Sequence, residues 1–100
     1  MDNLSETTIT ALLELTGLTS YNVQFKVHDK PFNTSFGPCV GLFTELDCGF
    51  RIDYVTSDDE LDTILHELVH VQQYLNDREL CCIEAEKLAE TYLAEFLGEL

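Results

Sequence analysis

Ser57-Asp58-Asp59-Glu60-Leu61-Asp62-Thr63-Ile64-Leu65-His66-Glu67-Leu68-Val69-His70-Val71-Gln72-Gln73-Tyr74-Leu75 is the stretch that decides how this chain is read. Ser57 to Glu60 has the form of a capping box, with acids placed at the positive end of a helix dipole. Leu61, Ile64, Leu65, Leu68, Val71 and Leu75 then fall within one arc at helical spacing, which predicts an amphipathic helix. Set into it is His66-Glu67-Leu68-Val69-His70, an H-E-x-x-H pattern. With three His and eleven Glu in the chain, chance supplies this pattern roughly 0.01 times per sequence. Residues four apart stand one above the other on a helix, so His66 and His70 can share one metal ion. Glu67 points to the adjacent side, where a general base for a metal-activated water belongs. Both histidines fall opposite the Leu61-Leu65-Leu68 stripe and are expected to face away from the core.

A zinc ion in such a site needs a third protein ligand and an open fourth position. No third histidine follows in the same helix, and His28 reads as a plain surface residue on the polar side of a strand. A break at Asn76-Asp77-Arg78 and a further helical pattern from about Glu79 to Leu97 predict a helical hairpin. Counted about Arg78, His70 and Glu86 lie level. Glu86 falls at the edge of an apolar arc with Cys82, Ala89 and Leu93, where a carboxylate is costly without a partner. Glu84 falls with Lys87, Thr91 and Glu95 on the wet side, so Glu86 is preferred as the metal ligand and Glu84 is the alternative. The four cysteines form no C-x-x-C pair and read mostly as buried thiols. Cys81-Cys82 leaves open a thiolate ligand, with less weight because two histidines and a glutamate already complete a set.

Working outward, Asn3 and Glu6 resemble an N-cap and its reciprocal partner, opening a helix that Gly17 closes. Tyr21, Val23, Phe25 and Val27 alternate with polar residues and predict a half-buried strand. Residues 29–38 read as a loop. Val40 to Glu45 and Phe50 to Tyr54, joined by Asp47-Cys48-Gly49, predict a hairpin. The fold class is therefore α+β: an N-terminal helix, a small three-stranded sheet, the H-E-x-x-H helix and a C-terminal glutamate helix, in one domain spanning residues 1–100.

The chain has 19 acidic and 5 basic residues, a net charge of −14 and 45% hydrophobic residues. That charge argues against nucleic acid and anionic membrane as partners and favours a basic protein or peptide. No apolar run reaches membrane-span length, and the acidic start lacks the form of a signal peptide. The expected location is cytoplasmic.

These motifs resemble the gluzincin class of zinc metallopeptidases in its minimal form, the minigluzincins, and most of all the ImmA/IrrE-like phage and bacterial metallopeptidases. In that family the active-site helix carries H-E-x-x-H and the next helix carries E-x-x-A-(N/D)-x-F-A. His66 to His70 matches the first in full. Glu86-Lys87-Leu88-Ala89-Glu90-Thr91-Tyr92-Leu93 matches the second in its Glu and Ala, with Tyr92 where Phe is usual. Glu90 stands where Asp or Asn would orient a histidine ligand. The resemblance implies His66, His70 and Glu86 as zinc ligands and Glu67 as the catalytic base.

The expected function is zinc-dependent peptide-bond hydrolysis, with Zn2+ as cofactor and a protein or peptide as substrate. A substrate strand would lie along an exposed sheet edge; Tyr54 and Tyr74 are candidates to stabilise an oxyanion, though each reads more readily as a core or surface tyrosine. Two alternatives belong to other classes: a small acidic binding or inhibitor protein of DNA-mimic type, and a non-catalytic zinc-binding domain.

Overall fold

The computed structural model describes residues 5–35 and 37–98. Its elements are α1 (Glu6–Thr16), β1 (Val23–His28), β2 (Phe32–Thr34), β3 (Gly37–Cys39), β4 (Gly41–Leu46), β5 (Gly49–Val55), α2 (Glu60–Leu75) and α3 (Cys82–Phe96). The architecture is the expected α+β, with α1 first and α3 last. Among the described residues no helix is long and apolar enough to cross a membrane.

The sheet has the order β1-β5-β4. β4 and β5 pair antiparallel across the tight turn Asp47-Cys48, with Leu46 opposite Gly49. β1 runs parallel to β5, Val23 opposite Phe50. Phe50, Ile52 and Tyr54 of β5 meet Leu12 of α1, Ile64, Leu65, Leu68 and Val71 of α2, and Ala89 of α3 in one core. Each is at most 4% exposed, so this cluster supplies the main burial term of the fold.

Two capping expectations change. Asn3 lies outside the described residues, and the N-cap of α1 is Ser5, whose hydroxyl accepts from the Thr8 N–H at 3.2 Å. Gly17 closes α1 as expected, at φ 74°. The Ser57 capping box does not form, because the Ser57 hydroxyl accepts from the Asp59 N–H at 3.2 Å in a local turn. α2 therefore begins at Glu60 with no side-chain cap.

The segment expected as a loop over 29–38 contains a second, two-stranded sheet, with Phe32 opposite Cys39 and Thr34 opposite Gly37. Prolines and glycine mask so short a ribbon. Phe32 stacks on the His28 ring at 4.2 Å. His28 is not a plain surface residue: it is half-buried, and its Nε2 lies 2.8 Å from the buried Asp53 carboxylate. Arg51 Nε donates to the other Asp53 oxygen at 2.9 Å, so the charge buried behind β5 is compensated from two sides.

Gln72 ties the three helices together. Its amide donates to the Thr16 carbonyl at 2.6 Å and to the Tyr92 hydroxyl at 3.0 Å. Tyr92, rather than Phe, thus gives Gln72 a partner on α3.

Candidate metal centre

α2 is not amphipathic in the simple sense of one wet and one dry face. β4 and β5 cover one side and α3 another, so Glu67, His70 and Gln73 are all buried alongside its leucines. The expectation that both histidines face away from the core is corrected for His70, which is 7% exposed; His66 is half-buried.

The two imidazoles converge, Nε2 to Nε2, at 3.1 Å. His70 is held by Gln73, whose Oε1 lies 2.8 Å from His70 Nδ1. The orientation of that amide is set by the chain, because Oε1 also accepts from the Cys81 N–H at 3.1 Å and Nε2 donates to the Cys81 carbonyl at 3.2 Å. An oxygen facing Nδ1 requires Nδ1 to carry the proton, which leaves the His70 Nε2 lone pair turned toward His66. Gln73 also donates to Glu84 at 2.9 Å, and Arg78 donates to the other Glu84 oxygen. Glu84 is thereby committed to supporting Gln73, and these two bonds hold its carboxyl below the usual carboxylate range.

Glu67 is 9% exposed. Burial pushes its carboxyl up to about 7, against the opposing effect of a hydrogen bond from the Phe43 N–H. The close approach of β4 depends on Gly41: a Cβ there would stand 2.6 Å from the Thr63 methyl and 3.1 Å from Glu67 Oε2. Phe43 contributes a second time, its ring stacked 6.1 Å from His70. His66 is held below the ordinary histidine value, mainly by burial and next by His70, against the opposing charges of Glu86 and Asp62.

Beside these groups lies an open cleft of about 540 Å³. Its walls are Pro38 to Gly41 from β3 and β4, Asp62, Thr63, His66 and Glu67 from α2, and Glu86 and Glu90 from α3. His66, Glu67 and Glu86 are thus brought to one cleft, while Glu84 is elsewhere. The tight donor group is nevertheless His66, His70 and Cys82, whose ligand atoms all lie within 4.8 Å of one another. Cys82 Sγ is 3.9 Å from His70 Nε2, and Glu86 stands outside that group, exposed.

The hairpin register explains this. His70 lies level with Cys82, and Glu86 acts on His66, one helical turn away from the expected pairing of His70 with Glu86. α3 starts at Cys82 rather than near Glu79 because Arg78 to Cys81 run back beside the last turn of α2. Arg78 N–H bonds the Gln73 carbonyl at 2.9 Å, and Cys81 is held by the Gln73 side chain. An extended residue advances about 3.3 Å against 1.5 Å in a helix, so a few of them shift the register by a turn.

One further expectation is corrected, that of the cysteines. All four cysteines are free, but Cys48, Cys81 and Cys82 are exposed and Cys39 is half-buried. Tyr54 is a core residue at 1% exposure. Tyr74 hydrogen-bonds Glu45 and packs edge-on against Phe43 and Phe50. Neither tyrosine lines the cleft. Gln73 was not anticipated from the sequence, and its only signal was its place three residues after His70 on the same helix face.

Two imidazole nitrogens, one of fixed tautomer, with a thiol and a carboxylate beside them form a donor set suited to a divalent transition metal. Compared with known proteins, the chain matches no family model, no curated protein and no solved structure.

Proposed function

We propose that this chain is a zinc-dependent peptidase in which His66, His70 and Glu86 hold the metal and Glu67 is the general base. The observation that carries the reading is the pairing of two convergent Nε2 atoms with a buried carboxylate on the adjoining residue, its affinity for protons raised toward neutrality. Zinc bound there would activate water and polarise a peptide carbonyl. Glu67, buried on the residue that adjoins His66, would take a proton from the activated water and pass it to a leaving amine. Phe43 N–H fixes the carboxylate while it does so, and Gln73 keeps the His70 lone pair directed into the site. Asp62, Glu86 and Glu90 give the cleft an acidic rim, which together with the net charge of −14 favours basic peptides as substrates. Four free thiols, three of them exposed, suit a reducing cytoplasm.

The test is peptide cleavage by zinc-loaded protein and by its Glu67→Gln variant. The reading expects cleavage of a basic peptide by the parent and loss of that cleavage in Glu67→Gln, with zinc content unchanged. Cleavage that survives the substitution overturns it. Zinc bound without any cleavage, together with unfolding on zinc removal, would support the non-catalytic domain instead.

A further inference from the structure

We infer that Cys82 is a ligand of the same metal centre, competing with water for the position that His66, His70 and Glu86 leave open. This rests on the metal-site reading above and concerns how that site is regulated. Cys82 and Glu86 are four residues apart on α3, as His66 and His70 are on α2, so each helix presents two donors from one face. The helices run antiparallel, with Cys82 beside His70 and Glu86 toward His66.

Distances support the thiol. Tetrahedral zinc, with bonds of about 2.05 Å to nitrogen and about 2.3 Å to sulfur, places nitrogens about 3.3 Å apart and nitrogen about 3.6 Å from sulfur. The two histidine nitrogens are 3.1 Å apart, and Cys82 Sγ is 3.9 Å from His70 Nε2. These two edges match to within about a third of an ångström, and the third, from Cys82 Sγ to His66, lies within 4.8 Å, so the thiol closes by up to about 1 Å when metal binds. The thiol is also not there by free rotation of a loop. Gln73 binds the backbone N–H and carbonyl of Cys81 while its Oε1 holds His70. One side chain therefore fixes the histidine and the start of the helix that carries Cys82. Cys81, the N-cap of α3, is outside the donor group.

The consequence for function is partial latency: the zinc-loaded parent cleaves slowly, and Cys82→Ala cleaves faster. A site with two histidines, a carboxylate and a thiolate is closed in the manner of structural zinc sites, whereas a catalytic site keeps one position open. Displacing the Cys82 thiolate would open that position beside Glu67.

The experiment uses the full chain, stripped of metal and then loaded with Co2+. It reads three things: bound cobalt per chain, near-ultraviolet thiolate-to-cobalt charge-transfer absorption, and the rate at which iodoacetamide alkylates Cys82, resolved by fragment mass with Cys48 as the remote control. The inference expects one cobalt per chain, a charge-transfer band that is missing from Cys82→Ala, and alkylation of Cys82 slowed about tenfold or more with Cys48 unaffected. One cobalt per chain with no band and undiminished alkylation of Cys82 overturns the inference and leaves the His66-His70-Glu86 reading intact. No bound cobalt overturns both.

Discussion

Gln73 Oε1 sits 2.8 Å from His70 Nδ1 and at the same time accepts the Cys81 N–H at 3.1 Å. The first bond decides which nitrogen of His70 is free, and the second decides where α3 begins. Removing the amide loosens both. Gln73→Ala is expected to weaken zinc binding roughly 10–100-fold, measured by competition with a zinc chelator. Unchanged affinity would mean that His70 keeps its tautomer without Gln73.

Gly41 lets β4 approach α2 closely enough for Phe43 N–H to reach Glu67. In Gly41→Ala the new methyl group meets Thr63, whose branched side chain has little freedom to retreat. We expect a loss of about 1–3 kcal/mol in stability, read from the urea midpoint. The peptide cleavage proposed above should fall with it, because Glu67 Oε2 is the next atom displaced.

Asp77 closes α2 in the left-handed region at φ 54°. Its N–H bonds the Tyr74 carbonyl at 3.2 Å and the Arg78 N–H bonds the Gln73 carbonyl at 2.9 Å, a Schellman arrangement in which glycine is usual. Asp77→Gly should relieve the conformational cost and stabilise the fold by about 0.5–1 kcal/mol. A higher melting temperature is the expected result; a lower one would show that the aspartate side chain contributes more than its backbone costs.

Much of this was legible before the structure. The helix that carries His66 and His70, the β4–β5 hairpin and the Gly17 stop each follow from local spacing and turn chemistry. The register of Cys82 against His70 was not legible. It depends on whether Arg78 to Cys81 coil or extend, and that is decided by one long-range bond pair from Gln73. The β2–β3 ribbon was hidden for a related reason: its strands have three residues each, too few for an alternation to register. The burial of Asp53 was equally hidden, since its partners His28 and Arg51 are brought to it by strand pairing and by its neighbour two residues back.

Glu67 makes stability depend on pH in the metal-free protein. Its folded value of about 7 lies above the ordinary 4.5, so the folded state binds the extra proton between those values. The protonated carboxyl therefore contributes stability that is fully present below pH 4.5 and is lost as pH rises through 7. The full span corresponds to about 3 kcal/mol. In chelator-treated protein, the parent should lose stability between pH 4.5 and about 7 relative to Glu67→Gln, whose side chain is neutral throughout. Parallel profiles for the two proteins would contradict a raised carboxyl.

The central claim is that His66 and His70 bind a metal ion, and elemental analysis of zinc addresses it most directly. The protein should be purified without chelator or histidine tag, beside His66→Gln and His70→Gln. The account predicts one zinc per chain in the parent and its loss in both variants. A parent with no zinc, and none taken up by the folded protein on addition, would contradict it.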